Sequence, residues 1–537
     1  MTLKQLISDL PAKARFDLNL DHVRDFDCLK DAVITVMNTS GVSTGKGTHY
    51  NSKEEEMLAR KNAGKALFEM DRGIFMMIHA LDGVTDDSKR TAIKALLMNC
   101  WDNYGNSVLD RDVEMEGVRR LTQSLQANRA LNLFVEMRKD RVNNTRTKKR
   151  LILPFLLNHP SLDWWAVKYR RKLRLALEHA WDKRTAGVIK SVIGRERTAD
   201  ENRGLRERID RHLNNSVDRN WVYECISFIL GNDGEYTLPL FKAFKAAKTD
   251  IAKGKTLPPE VLEGIRSTYH KSVSQKTILK LTRNTSMTEK KKALVQRKAK
   301  KENVKIAFNP MARTATELYV LAYAEGMTDA IWNALMKKAR SGAQQLPVRF
   351  GKIGILVDDS FSMTGALTQK MRPMAIALAM KDVLINIGET FVIRTASGRR
   401  INRADPLPKP KGSTDLALAL VELLETGADA VFILSDGYEN APSGRVNEVM
   451  ELLNRIGAQT PVYHICPVVG SESGQGLRNL SDRIPCMPVS NPQGLALTMM
   501  RAMMEVDVQR GIQALAAITL PQIGASRLPA KQKEAIC

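Results

Sequence analysis

Between residues 355 and 365 the chain reads ILVDDSFSMTG: an apolar run ends in Asp358, and Ser360 and Ser362 follow at alternating positions. A loop leaving a strand there turns one carboxylate and two hydroxyls toward a common centre. Such an all-oxygen set suits Mg2+ and, less selectively, Mn2+ or Ca2+. Three donors leave the cation undersaturated, and two later stretches offer more. GSTD places Thr414 at the start of a helical pattern, and VFILSDG ends a second apolar run with Asp436. In an open α/β sheet, ligands bind beyond the carboxyl ends of the strands. All five side chains are therefore expected at one rim. Ser360 and Thr414 also have a plainer use as helix caps. Asp359 and Asp415 are read as acids behind the donors or in solvent.

The elements that must position these residues follow from periodicity. KIGILVD, FVIRTA, DAVFILSD and VYHICPVV are apolar runs of strand length, and KMRPMAIALAMKDVLINI, TDLALALVELLET and RVNEVMELLNRI between them have helical spacing. That alternation predicts a doubly wound parallel sheet covered on both faces. It is placed at residues 346–510, with 511–537 as a tail. From residue 1 to 345 the pattern is all-helical, with apolar residues at threes and fours and polar or proline breaks but no strict period. This predicts an irregular, HEAT-like solenoid.

Charge separates the two parts. The net charge is +23 over 537 residues; the first 346 hold 62 Lys+Arg against 41 Asp+Glu, and the remainder 20 against 18. An excess gathered in one part is the footprint of a polyanionic partner, nucleic acid first among them, with a solvated basic surface as the alternative. The 43% hydrophobic and 26% charged fractions are those of an ordinary globular protein. No apolar run reaches the ~18 residues of a membrane span, and the N-terminus lacks the pattern of a secretory signal, so the expected compartment is the cytoplasm. Cys28, Cys100, Cys225, Cys466, Cys486 and Cys537 are far apart with no CxxC spacing, and are read as reduced, mostly buried thiols. His464, inside an apolar strand, is read as a satisfied core histidine.

Other chemistries fail on spacing. GVSTGKGT, residues 41–48, has one residue too few between its glycines for a phosphate-cradling P-loop, and Gly47 stands where the Mg2+-binding hydroxyl belongs; it reads as a flexible turn. HExxH is absent from the sequence, and no nucleophile elbow is read: GVSTG at 41–45 has the GxSxG spacing but belongs to the same glycine-rich turn. A phosphatase of the haloacid dehalogenase type requires a second Asp at position 360, and a two-metal nuclease requires bridging carboxylates where this chain has hydroxyls. The expected protein is not an enzyme.

Asp358-x-Ser360-x-Ser362, Thr414 in GSTD and Asp436 in SDG resemble, in order and setting, the metal-ion-dependent adhesion site of von Willebrand factor A domains. The resemblance implies a divalent cation, most simply Mg2+, with one coordination position left for an acidic group of a protein partner. A basic helical region joined to such a domain is similar to the Ro ribonucleoprotein family, whose helical part is the TROVE module. AVKYRRKLRLALEHAW, residues 166–181, resembles that family's KYR helix, although the Gly-Trp-Ser-His stretch expected after it is absent. The resemblance implies helical repeats closed into a ring, binding single-stranded RNA ends or small structured RNA. It makes Lys168, Arg170, Arg171, Lys172 and Arg174 phosphate contacts and Tyr169 a base-stacking residue. Lys148, Lys149 and Arg150 in the basic run 138–150 are further candidates; a second run, 289–305, is either a phosphate grip or a mobile linker. The alternative function is an adaptor of a MoxR-type AAA+ ATPase, its basic surface meeting an acidic protein.

Overall fold

The computed structural model describes residues 18–42, 53–98, 106–140, 146–193, 199–231, 234–283, 287, 289–344, 349–365, 370–399, 401–402, 405–413, 415–439, 441–458, 460–467, 478–484, 486–489 and 495–523. Thr414 and residues 43–48 of the glycine-rich stretch lie outside them.

Five strands, β1 (Phe350–Val357), β2 (Gly388–Thr395), β3 (Ala430–Leu434), β4 (Val462–Cys466) and β5 (Cys486–Pro488), form one sheet in the order β2-β1-β3-β4-β5. All four pairings are parallel. Every residue of β3 and of β4 is buried, so both faces of the sheet are covered, which is why these strands read as unbroken apolar runs. From β1 the chain steps to β2 on one side and returns to β3 on the other. The switch in direction therefore falls between β1 and β3, where an open α/β sheet leaves a crevice beyond the strand ends.

Contacts divide the chain into two compact units, residues 1–122 with 313–537, and residues 123–312. This division does not follow the expected boundary at 345/346. In the first unit the helix Phe26–Val42 packs on the helix Leu495–Val506. A Cβ at Gly41 would come within 2.9 Å of Leu497, so glycine permits the close approach. The helix Ala315–Glu325 is tied to the sheet region through Tyr319, whose hydroxyl donates to Asp382 at 2.5 Å, and Tyr323, which donates to the Pro408 carbonyl at 2.7 Å.

The segment from 511, expected as a tail, begins inside the helix Val508–Gln522. Asp507 caps it by accepting from the Arg510 amide, and Ile512, Leu515, Ala516 and Leu520 are buried. This face packs on the helices Leu495–Val506 and Arg72–Ala80. Its apolar stripe therefore has a partner some four hundred residues away in sequence, as a tail would not.

The second unit is built on the helix Leu162–Trp181, which packs against Ala127–Lys139, Arg146–Leu157 and Arg219–Leu230. The basic run from 289, for which a mobile linker was one expectation, is a helix, Glu289–Lys301. Lys291 pairs with Glu260 and Lys292 with Glu289, both at 2.7 Å, and Ala299 is buried with Leu279, Met287, Val304 and Ile306. The division sharpens the charge asymmetry. Residues 123–312 hold 41 Lys+Arg against 19 Asp+Glu; all the rest of the chain holds 41 against 40. The +23 thus splits into +22 and +1. No helix among the described residues is long and apolar enough to cross a membrane.

Candidate functional site

At the switch point, the Asp358 amide donates to the Leu434 carbonyl at 3.0 Å, continuing the β1–β3 pairing past the end of β1. This holds Asp358 beside the turn that follows β3, which carries Ser435 and Asp436. Asp358 is fully buried: one carboxylate oxygen accepts from the Ser360 amide at 2.9 Å, the other from the Ser435 hydroxyl at 2.6 Å. Ser360 stands before the short 3-10 turn Phe361–Thr364 without a side-chain cap bond. Its Oγ instead lies 3.0 Å from Ser362 Oγ, and the Ser362 hydroxyl in turn hydrogen-bonds Asp436. Four of the five predicted donors, Asp358, Ser360, Ser362 and Asp436, are thereby brought together. The segment leading to Thr414 is held beside them: Lys411 donates its amide to the Asp359 carbonyl at 2.9 Å, and Phe361 to the Gly412 carbonyl at 3.2 Å.

Electrostatics single this cluster out. Burial, and then the charge of Asp358, push the Asp436 carboxyl up to about 6, and burial raises Asp358 as well. Among the described residues neither carboxylate forms an ion pair with Lys or Arg. Two adjacent acids, one fully buried and one half-buried, without a basic partner are costly when ionised. The two neighbouring acids have other work. Asp359 accepts the Ser397 amide at 3.0 Å and the Ser397 hydroxyl, and Asp415 caps the helix Leu416–Glu425 by accepting from Ala417 and Leu418. Beside the donors, Phe361 is 71% exposed.

The residues proposed for RNA lie in the second unit and differ in availability. In the helix Leu162–Trp181 the backbone breaks at Tyr169 (φ −121°, ψ 23°). Tyr169 is half-buried, and its phenol is raised by burial and by Glu260. Lys168 lies 3.7 Å from Glu260, Arg170 has its guanidinium 4.6 Å over the Phe228 ring, and Lys172 donates to Asn128 at 2.5 Å. These three, predicted as phosphate contacts, therefore also join this helix to its neighbours. Arg171 is exposed; Arg174 is exposed but bonded to Glu178 at 2.9 Å, which also holds Arg138. Lys149 and exposed Arg150 lie in the first turns of the helix Arg146–Leu157, near exposed Arg211, and all three charges act on His212. Burial first, then these cations, lower the His212 imidazole. The side chain of Lys148, in the same helix, lies outside the described set.

A second cluster went unread in the sequence. His464, Cys466 and Cys486 are buried, with one imidazole nitrogen and two sulfurs all within 4.8 Å of one another. The Cys466 side chain, against the effect of burial and with help from His464 and Arg501, holds the Cys486 thiol well below its ordinary range. Spacing rules look for cysteines close in sequence; these reach one another across adjacent strands. The signal available was His464 and Cys466 two apart on one strand, with Cys486 opening the next. Of the other cysteines, Cys225 is buried, Cys28 exposed, and Cys100 and Cys537 lie outside the described residues.

The fold and the first cluster define a helical protein with an all-parallel α/β region and an oxygen-lined crevice at its switch point. Among solved structures the chain is similar to the Ro (RSR) protein of Deinococcus radiodurans, at 13% identity over 78% of this chain and 100% of that one, with a TM-score of 0.29. That overlap is too loose to argue function from. No family model matches the chain, and no curated protein matches it.

Proposed function

We propose that this chain is a non-enzymatic RNA-binding scaffold of the Ro-like kind, gripping RNA through residues 123–312. One observation carries the reading: that unit has a net charge of +22, while the rest of the chain is nearly neutral at +1. Surplus charge kept on one unit repels itself unless a polyanion or its counterions neutralise it. Small structured RNA or single-stranded RNA ends supply that neutralisation. Arg150, Arg171 and Arg211 are exposed and Lys149 partly so, which leaves them available to phosphate, and half-buried Tyr169 offers an edge for stacking.

The sheet region is assigned as a von Willebrand A-like domain holding a divalent cation, Mg2+ by the hardness of its donors. The fit rests on the donor chemistry: a fully buried and a half-buried carboxylate without Lys or Arg partners, and two hydroxyls turned to the same place. Asp358, Ser360, Ser362 and Asp436 would hold the cation, and Thr414 would complete the set. The cation neutralises the two acids and leaves a position for a carboxylate from a partner. The exposed ring of Phe361 between the two serines would offer a protein partner apolar area beside the open position.

Fluorescence anisotropy of a labelled single-stranded RNA, titrated with the full chain at several salt concentrations, tests the main reading. The expected affinity falls steeply and log-linearly with salt. Absence of binding at low salt, together with capture of an AAA+ ATPase, would favour the adaptor function instead.

A further inference from the structure

The buried His464, Cys466 and Cys486 make a site of a different kind from the oxygen-lined one. Side chains two apart on a strand share a face, so His464 and Cys466 point the same way from β4. Cys486 is the register partner of His464 on β5, which puts it on that face too. The face is a closed one: Val462, two residues before His464, packs in the core with Ile433, Leu480 and Ile484. His464 is 0%, Cys466 2% and Cys486 3% exposed.

The imidazole is fixed in orientation and tautomer. Nε2 lies 2.8 Å from the Ser435 carbonyl, which accepts only, so Nε2 carries the proton. In the neutral imidazole, the form a metal takes, Nδ1 is then the lone-pair nitrogen. It is buried without a hydrogen bond of ordinary geometry, although the Cys486 thiol is near enough to interact with it. A histidine that gives one N–H to a backbone carbonyl and turns the other nitrogen toward two thiols has the arrangement of a metal ligand. The Arg478 carbonyl, 3.6 Å from Cys486 Sγ, adds an oxygen beside the cluster, and the chain at Arg478 closes over it so tightly that a Cβ on Gly437 would come within 2.9 Å of that oxygen.

We propose that His464 Nδ1, Cys466 Sγ and Cys486 Sγ form a structural site for a thiophilic divalent cation, Zn2+. Two sulfurs and an imidazole are the donors such an ion takes, at about 2.3 Å and 2.0–2.1 Å, with a fourth donor completing a tetrahedron. Charge argues for the divalent ion over Cu+. Two thiolates cancel the charge of Zn2+, and a neutral complex is the one least penalised by burial. Binding converts two S–H groups to thiolates and releases their two protons to solvent. The ion would pin β5, a three-residue edge strand, to β4. Through the Ser435 carbonyl it would also steady the residue whose hydroxyl holds Asp358. The inference is independent of the RNA reading.

Co2+ is the probe. The full chain, purified reduced and stripped with chelator, should take up one Co2+ with an intense thiolate-to-cobalt charge-transfer band, which one equivalent of Zn2+ abolishes. Zn2+ should also protect two thiols from alkylation in the unmodified chain. Cys466→Ser and Cys486→Ser should lose the band, whereas Asp358→Ala should keep it. No band and no protection in the reduced wild-type chain would overturn the proposal, without reliance on any variant folding. So would a band that persists in Cys486→Ser, or a Cys466–Cys486 disulfide in protein that binds no Co2+ after reduction.

Discussion

Ser435 donates its hydroxyl to the Asp358 carboxylate at 2.6 Å, across the ends of β1 and β3. It also gives its carbonyl to His464 Nε2 at 2.8 Å, so one residue touches both candidate metal sites. Ser435 itself is not one of the predicted donors; it orients one. Replacing it with alanine removes a hydrogen bond that holds the Asp358 oxygen in place. Outer partners of this sort typically alter metal affinity about 10–100-fold. Mg2+ titration calorimetry of Ser435→Ala should show a loss in that range with the fold intact, and an unchanged affinity would mean that Asp358 needs no such support.

The second prediction concerns acid and stability. Asp436 titrates near 6 in the cation-free fold, against an ordinary 3.8. Its folded-state value is raised, so between those two pH values the folded chain binds more protons than the unfolded one. Stability is therefore lost as pH rises through this window, by about 3 kcal/mol at one to two kcal/mol per pKa unit. Without divalent cation, Asp436→Asn should be more stable than wild type at pH 7 and nearly equal to it at pH 4. Saturating Mg2+ should reverse the order at pH 7, since only the carboxylate form gains from the ion. Urea unfolding at both pH values, with and without Mg2+, reads all four cases.

Much of this site was legible before any coordinates. Apolar runs ending in Asp358 and Asp436 announce strands whose carboxyl ends carry acids, because a doubly covered parallel sheet leaves its strands no polar face. What stayed hidden depends on contacts between distant residues. The packing of Phe26–Val42 on Leu495–Val506 joins the two ends of the chain, and neither helix carries a mark of its partner. The confinement of the basic excess to residues 123–312 could be counted only once that packing was known. Arg170 reads as a phosphate contact in the sequence because periodicity does not show the Phe228 ring beneath its guanidinium.

A third prediction tests what holds the N-terminal helices. Arg72 and Glu114 are both 1% exposed and meet through two bonds, 2.7 Å and 3.2 Å, while Arg72 also donates to the Leu96 carbonyl at 3.3 Å. Removing one partner strands a buried charge, a loss of about 3–5 kcal/mol. Glu116, two residues along the same helix, pairs with Arg119 and Arg120 in solvent, where such pairs contribute about 0–1 kcal/mol. Glu114→Ala should therefore lower the urea midpoint sharply and Glu116→Ala barely. Equal effects would show that the buried pair is no more than a surface pair in energetic terms.

The last prediction separates cations that grip RNA from cations that build the helical unit. Lys149, Arg150 and Arg171 are available to phosphate, whereas Arg170 lies on Phe228 and Lys172 on Asn128. Each lost phosphate contact reduces the slope of log affinity against log salt by about 1. The triple variant Lys149→Glu, Arg150→Glu, Arg171→Glu should flatten the slope by about 2–3 while leaving thermal unfolding nearly unchanged. Arg170→Ala should do the reverse: a guanidinium over a ring is worth about 0.5–2 kcal/mol, so the melting temperature falls while the salt slope holds. If Arg170→Ala flattens the slope as strongly as the triple variant, the Phe228 contact must open when RNA binds, and the helix around Tyr169 belongs to the interface after all.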